Sequence, residues 1–303
     1  MVTEHYEILD KRFNDKVAVL FPPEELFNAG LFTEGPAYFP AGRFLLFTDL
    51  PNDRIMRLDE TDASISVFRH DCGHPNGQTV DLEGRLLSCE HRHRRVSRTQ
   101  HDGSIITIAE TWQGKRLNSP NDVVVTSDGA VWFTDPPYGI LHDLDGMKAE
   151  SEINACHVYR VDPHTGAVEA KITDMVMPNG LAFSRDESTL YVVDSGKSHH
   201  ENGPAHLRAF QVDIDHRITG GNVVADCPVG IFDGLRLDND DHIWISAGDG
   251  VYCYDPSGGL LGAIKLEKIA ANLTFAGPRR NIMYVCATNS LYRIRLKING
   301  RNR

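Results

Sequence analysis

The sequence contains six copies of one short unit, and this repeat constrains the fold more than any other feature. Each copy has a short apolar segment, a polar turn that mostly contains Gly or Asp, and a second apolar segment that ends near a small or acidic residue. Such pairs of segments are typical of β-hairpins. The copies are EGPAYFPAGRFLLFTD (34–49), NGQTVDLEGRLLSCE (76–90), NDVVVTSDGAVWFTD (121–135), NGLAFSRDESTLYVVD (179–194), DGLRLDNDDHIWIS (233–246) and, most degraded, NLTFAGPRRNIMYVCA (272–287).

The spacing of the units indicates the architecture. Successive units begin 42, 45, 58, 54 and 39 residues apart, and further β-type segments fill the gaps between them. A period of about 40–50 residues with several short strands per unit is the signature of a β-propeller blade. The two longest steps predict larger loops around residues 138–155 and 197–206. The sequence therefore predicts an all-β, six-bladed propeller in a single domain, 1–303, in which 1–20 are an N-terminal extension.

The ends of the chain predict how the ring closes. A strand-like segment precedes each unit, but the last unit is followed only by SLYRIRLKI (290–298), which supplies a third strand. We therefore expect the segment near residues 24–29 to form the outer strand of the sixth blade, so that an N-terminal strand closes the ring.

Composition excludes several classes of partner. The chain is 41% hydrophobic and 24% charged, as soluble globular proteins are, and its net charge of −11 argues against a nucleic-acid or anionic-membrane partner. The sequence has no secretory signal pattern and no run of about 18 apolar residues. Its six cysteines form no CxxC pair, which favours buried free thiols and a cytoplasmic location. Oligomeric state stays open.

The first residues of the six units share one chemical property. Equivalent residues of propeller blades converge on the central channel, and here each of them carries a carboxylate or amide oxygen. They are Glu34, Asn76, Asn121, Asn179, Asp233 and Asn272. Asn and Asp also suit strand entry and turns, an alternative that applies to each position taken alone. A channel of oxygens without His or Cys favours a hard divalent cation, calcium first and then magnesium or manganese.

Several segments resemble a known family. TEGPAYFPAG (33–42), SPNDVVVTSDGAVWFTDPPYG (119–139), PNGLAFSRDESTLYVVDSG (178–196) and FDGLRLDNDDHIWIS (232–246) look like the hallmark segments of the senescence marker protein-30/gluconolactonase/luciferin-regenerating enzyme family. The resemblance covers about residues 30–295. CEHRHRRVSRTQHDGS (89–104) places the chain nearest to the bacterial gluconolactonases.

The resemblance implies a metal-dependent lactonase. In that family one divalent cation in the channel assists hydrolysis of a sugar lactone of the gluconolactone type to the aldonic acid. The corresponding metal ligands here are Glu34, Asn179 and Asp233, with Asn121 beside the metal or substrate, and Asp233 is also the implied general base. Zn²⁺ and Fe²⁺ stay open besides Ca²⁺, Mg²⁺ and Mn²⁺.

Substrate contacts are less completely specified. Asn121 and Asn76 are expected to form hydrogen bonds with sugar hydroxyls or with the charge that develops on the lactone oxygen. Ser119 stands where animal members carry a substrate-binding arginine, and Tyr138 lies in the loop after FTDPP. Loop packing is the alternative for Tyr138. His91 is a further candidate for the pocket, with a solvated surface histidine as the alternative.

Two other functions remain open at this point. A phosphotriesterase or organofluorophosphatase would use the same cation on a P=O group, and a non-catalytic propeller would bind a partner on one face. The sequence has no G-x-S-x-G elbow, no HExxH and no complete phosphate loop, which argues against serine hydrolases, zinc proteases and nucleotide binding.

Overall fold

Six antiparallel sheets follow one another along the chain in the computed structural model, which describes residues 2–301. Blades 1 to 3 comprise, in order, Thr33–Phe39, Phe44–Asp49, Arg54–Asp59 and Ile65–His70; Pro75–Val80, Leu86–Glu90, Arg95–Thr99 and Ile105–Ala109; Val123–Val125, Val131–Asp135, Cys156–Val161 and Val168–Met175. Blades 4 to 6 comprise Pro178–Phe183, Thr189–Asp194, His206–Val212 and Ile218–Asp226; Leu235–Leu237, Ile243–Ala247, Gly250–Tyr254 and Leu260–Lys265; Ala270–Ala276, Ile282–Ala287 and Ser290–Arg295. The prediction of a six-bladed β-propeller is confirmed.

The N-terminal segment closes the ring as predicted. Glu24–Phe27 pairs with the last strand, and Arg293 lies opposite Glu24 with an Nη2–Oε2 distance of 2.7 Å. A second strand, Tyr6–Ile8, adds to the outer edge of blade 5, which the sequence did not indicate. Between these strands the 3-10 helix Lys11–Asp15 places the buried Phe13 ring 5.9 Å from that of Trp244.

The remaining short elements lie in connections between strands. They are the 3-10 helices Val2–His5 and Gly196–Ser198, the helix Tyr138–Leu141, and a small hairpin formed by Thr111–Trp112 and Lys115–Arg116. The two larger loops predicted around 138–155 and 197–206 follow the second strands of blades 3 and 4. Because second strands run antiparallel to first strands, both loops lie on the face where the inner strands begin.

The core lies between neighbouring blades. Between blades 3 and 4, for example, Trp132 packs edge-on against Phe183 with ring centroids 5.2 Å apart, and Leu190 and Val192 are buried beside them. Burial of each such side chain contributes about 1.5–3 kcal/mol. No contribution comes from disulfides, because all six cysteines are free, four of them buried and Cys156 and Cys227 half-buried. Within residues 2–301, no helix is both long and apolar enough to cross a membrane.

Candidate active site on the propeller axis

The starts of the inner strands converge on the axis. The hydrogen-bond register between first and second strands is irregular at this point in four blades, between Glu34 and Ala37, for example, and between Pro178 and Leu181. Such bulges redirect side chains and are frequent beside active sites. In the other two blades the strand itself begins at Val123 and Leu235, two residues after Asn121 and Asp233.

Glycine next to the site residues lets neighbouring blades approach closely. Gly180 N donates to Asp233 O at 3.0 Å, and Gly77 N donates to Asn121 O at 2.7 Å. A Cβ atom at either glycine would lie 2.3 Å from the carbonyl oxygen to which that glycine's N–H donates. The sequence pattern of Asn or Asp followed by Gly therefore reflects packing between blades as well as turn formation.

The side chains of the site residues contact one another across blades. Asn272 Nδ2 donates to Glu34 Oε2 at 3.0 Å, and Asn179 forms a hydrogen bond with Asp233. Asn121 is buried as well. The structure thus brings together Glu34, Asn179 and Asp233. Asn121 belongs to the inner segment of blade 3.

The electrostatics of the axis favour a bound cation. Burial, together with the nearby Asp122 carboxylate, raises the pKa of Glu34 to about 7, although hydrogen bonds from Gly35 and Asn272 act in the opposite direction. Burial raises the pKa of Asp233 well above its ordinary value, and the charges of Glu34 and Asp122 add to this. Acidic groups that are largely withdrawn from water and repel one another among amide oxygens are a donor set suited to a hard divalent cation.

A salt bridge between blades 3 and 5 lies next to this group. Arg236 Nη1 lies 3.3 Å from Asp122 Oδ2, and both side chains are largely buried. A cavity of about 550 Å³ occupies the other end of the axis, lined by Arg236 and later residues of the inner strands, and none of the six converging residues lines it. Neither residue of this pair is among the site residues predicted from the sequence, although each lies on an inner segment within three positions of one of them.

Asn76 is paired with His91. The Asn76 amide nitrogen lies 3.1 Å from His91 Nε2, and His91 Nδ1 lies 3.0 Å from the backbone oxygen of Asp145. His91 is 1% exposed, so the alternative of a surface histidine is wrong. Burial lowers the pKa of His91 to about 4, and the ring is neutral at physiological pH. Asn76 Oδ1 is buried without a hydrogen-bond partner among the described residues.

Tyr138 belongs to the loop that starts at residue 136, and Ser119 contacts this loop. Ser119 is fully buried; its hydroxyl donates to Pro136 O at 2.7 Å and accepts from Gly139 N at 2.9 Å. The hydroxyl thus anchors the loop, and its predicted contact with substrate stays a prediction. Tyr138 Oη lies 3.0 Å from Ser198 Oγ. Burial raises the pKa of Tyr138, and the Asp233 carboxylate is near enough to contribute to the shift.

Acidic residues at the ends of second strands hold the segments that lead into the site. Asp135 accepts from the backbone N–H groups of Asn118 and Ser119 at 2.8 Å each. Asp194 accepts in the same way from Val176 and Met177 at 2.9 Å each. The sequence shows the acidic residue at the end of the repeat. It does not predict that this residue accepts hydrogen bonds from the segment before the site residue of the same blade.

A separate cluster lies at the turn of blade 5. Asp238, Asp240 and His242 place potential ligand atoms within 4.8 Å of one another. Lys16 Nζ lies 3.1 Å from Asp238 Oδ2 and 3.0 Å from His242 Nδ1. The lysine ammonium already supplies positive charge to this cluster, so the axial group is the better candidate for a metal.

The chain is similar in sequence to a known protein family and to one of its enzymes. Residues 32–289 match the protein-family description SMP-30/Gluconolactonase/LRE-like region. A gluconolactonase from Zymomonas mobilis subsp. mobilis is 30% identical over 295 residues, which cover 89% of this chain and 80% of that protein.

Solved structures extend the comparison. A gluconolactonase from Xanthomonas campestris superimposes with a TM-score of 0.91 at 32% identity, covering 97% of this chain and 95% of that one. Regucalcin from Agrobacterium tumefaciens, a calcium-binding protein, superimposes with a TM-score of 0.75 at 20% identity, covering 93% and 96%. The latter likeness concerns the fold alone.

Proposed function

The chain belongs to the SMP-30/gluconolactonase/LRE-like family, and from this membership and the axial site we propose that it hydrolyses a sugar lactone of the gluconolactone type to the aldonic acid with the help of one divalent cation. The observation that carries the proposal is the pair of carboxyl groups on the propeller axis, the buried Glu34 and the half-buried Asp233, among amide oxygens. The names of the Zymomonas and Xanthomonas relatives support the lactone as substrate.

Glu34, Asn179 and Asp233 would hold the cation, and Asn121 would complete the set or contact the substrate. Oxygen ligands of this kind suit Ca²⁺ best; Mg²⁺, Mn²⁺, Zn²⁺ and Fe²⁺ are alternatives. When bound, the cation supplies Lewis-acid polarisation of the lactone carbonyl. An ionised carboxyl group on the axis without a counter-charge is costly, and a bound cation would remove this cost.

Asp233 is the proposed general base. Its carboxylate accepts a proton from water while the water oxygen bonds to the lactone carbonyl carbon. Collapse of the tetrahedral intermediate breaks the bond between that carbon and the ring oxygen, and the proton returns to the ring oxygen, which leaves as a hydroxyl group. The hydrogen bond with Asn179 orients the Asp233 carboxylate for this step. Asn121, Asn76 and Tyr138 would bind the lactone hydroxyls.

A substrate and metal panel tests the proposal. Protein stripped with a chelator is expected to lose lactonase activity and to regain it when one of the five cations is restored, most of all Ca²⁺. Sugar lactones should be hydrolysed much faster than paraoxon or diisopropyl fluorophosphate. Full lactonase activity in metal-free protein would refute the metal requirement, and preferential cleavage of the phosphorus esters would favour the alternative hydrolase.

The variant Asp233→Asn tests the general base. We expect kcat to fall by at least about 10²-fold, the usual contribution of a positioned base, while calorimetry still detects cation binding. Asp71→Asn, at an exposed position, is the matched control and should retain activity. Near-normal turnover by Asp233→Asn would contradict the assignment.

A further inference from the structure

His91 is held through both ring nitrogens. Nδ1 lies 3.0 Å from the backbone oxygen of Asp145. A carbonyl oxygen only accepts hydrogen bonds, so Nδ1 must carry the hydrogen, and in the neutral ring Nε2 is then an acceptor without a hydrogen.

The ring in turn determines the orientation of the Asn76 amide. An acceptor at His91 Nε2, 3.1 Å from the Asn76 side chain, can be satisfied only by the amide NH₂ group. The amide carbonyl oxygen, Oδ1, must therefore face away from His91. That oxygen is buried and has no partner among the described residues. A buried acceptor left in this state is destabilising, and a ligand that donates a hydrogen bond would remove the cost.

The loop after blade 3's second strand keeps the His91 ring in place. Gly139 packs against it so closely that a Cβ atom there would lie 2.4 Å from His91 Cβ. Gly139 N donates a hydrogen bond to Ser119 Oγ, and Gly139 O accepts one from Met147 N at 2.9 Å. The ring is thus enclosed by the same loop that supplies the Asp145 carbonyl.

Asn76 also lies next to the proposed cation ligands. A Cβ atom at Gly35, the residue after Glu34, would lie 2.1 Å from Asn76 O, so the first and second blades meet at this point. We propose that His91 is a positioning residue that holds Asn76 as an obligate hydrogen-bond acceptor, and that the lactone presents a hydroxyl group to Asn76 Oδ1. The part that concerns the lactone rests on the proposed function.

The tautomer of His91 can be measured without any activity. In ¹⁵N-labelled protein, the chemical shifts of the ring nitrogens should show a protonated Nδ1 and an unprotonated Nε2 between pH 6 and 8. Observation of the Nε2-protonated tautomer would overturn the proposal, because the Asn76 amide would then be turned the other way. This result is decisive even if the protein hydrolyses no lactone, an outcome that would refute the proposed function instead.

The recognition of a hydroxyl group is tested with singly deoxygenated gluconolactones. In the wild type, removal of one particular hydroxyl is expected to lower kcat/KM by at least about 10²-fold, since a site built to bind a hydroxyl strongly rejects the analogue that lacks it. In His91→Phe this discrimination should shrink to a few-fold, because the amide can rotate. His91→Gln, which offers an acceptor oxygen, should keep more of the discrimination and guards against a folding defect in the Phe variant.

A double-mutant cycle separates positioning from a structural effect. In the Asn76→Ala background, His91→Phe should cause no further loss of discrimination, because its effect passes through Asn76. Equal loss of activity towards all lactones in His91→Phe, or a wild type that discriminates against no deoxy-lactone, would overturn the proposal.

Discussion

Asp233 and Asp238 lie five residues apart on blade 5, but their surroundings shift their pKa values in opposite directions. Asp233 faces the axis, where burial and the charges of Glu34 and Asp122 raise its pKa. Burial also acts to raise the pKa of Asp238. Hydrogen bonds with His242 and Trp244, together with the positive charge of Lys16, outweigh this effect and lower the pKa to about 2. The carboxyl without a counter-charge is therefore suited to ligand binding, and the paired carboxyl is suited to holding the N-terminal segment.

Asp238 should contribute a stability that depends on pH. Its pKa is lower in the folded protein than the ordinary value of about 3.9. The contribution is therefore complete above about pH 4 and is lost as the pH falls towards 2, and it amounts to about 2 kcal/mol. Urea unfolding of wild type and Asp238→Asn should differ by about this amount at pH 7, and the difference should disappear only when the pH falls below about 2. A difference independent of pH would contradict this account.

At the scale of the element, blades 1, 3 and 4 combine a hairpin with an acidic residue, Asp49, Asp135 or Asp194, that holds the segment before the site residue of the same blade. Asp194 receives two backbone N–H groups from Val176 and Met177, immediately before Asn179. Asp135 does the same before Asn121. The positions of the amide side chains thus depend on carboxylates that do not reach the axis.

The variant Asp194→Asn tests this dependence. Replacement of one carboxylate oxygen by NH₂ leaves a backbone N–H group unpaired, which should lower the free energy of unfolding by about 1–3 kcal/mol. Because Asn179 shifts with its segment, the affinity for the cation should fall as well, as measured by calorimetry. Asp226→Asn, an exposed position at the end of the same blade's outer strand, should change neither quantity. Unaltered cation affinity in Asp194→Asn would contradict the positioning role.

At the scale of the molecule, stability depends on closure by the N-terminal segment. Glu24–Phe27 completes blade 6, Tyr6–Ile8 extends blade 5, and Phe13 and Val17 are buried between them. A propeller without this segment has two uncovered sheet edges and an opened core.

Deletion of residues 1–30 should therefore destabilise the whole ring. We expect a large fall in the melting temperature or a failure to fold, followed by circular dichroism. Deletion of residues 1–4, which leaves both strands intact, is the control and should melt close to the wild type. Unchanged melting of the longer deletion would show that the ring closes without its N-terminal strand.

The sequence alone determined the number of blades, the residues that begin each inner segment and the strand that closes blade 6. These features could be predicted because hairpin signals are local and the repeat copies them six times. Only the tertiary structure decided that His91 is buried, that Asn76 directs its oxygen away from it, and that Arg236 pairs with Asp122. The physical reason is that burial and hydrogen-bond partners come from distant segments: Asp145 is 54 residues from His91, and Asp238 is 222 residues from Lys16.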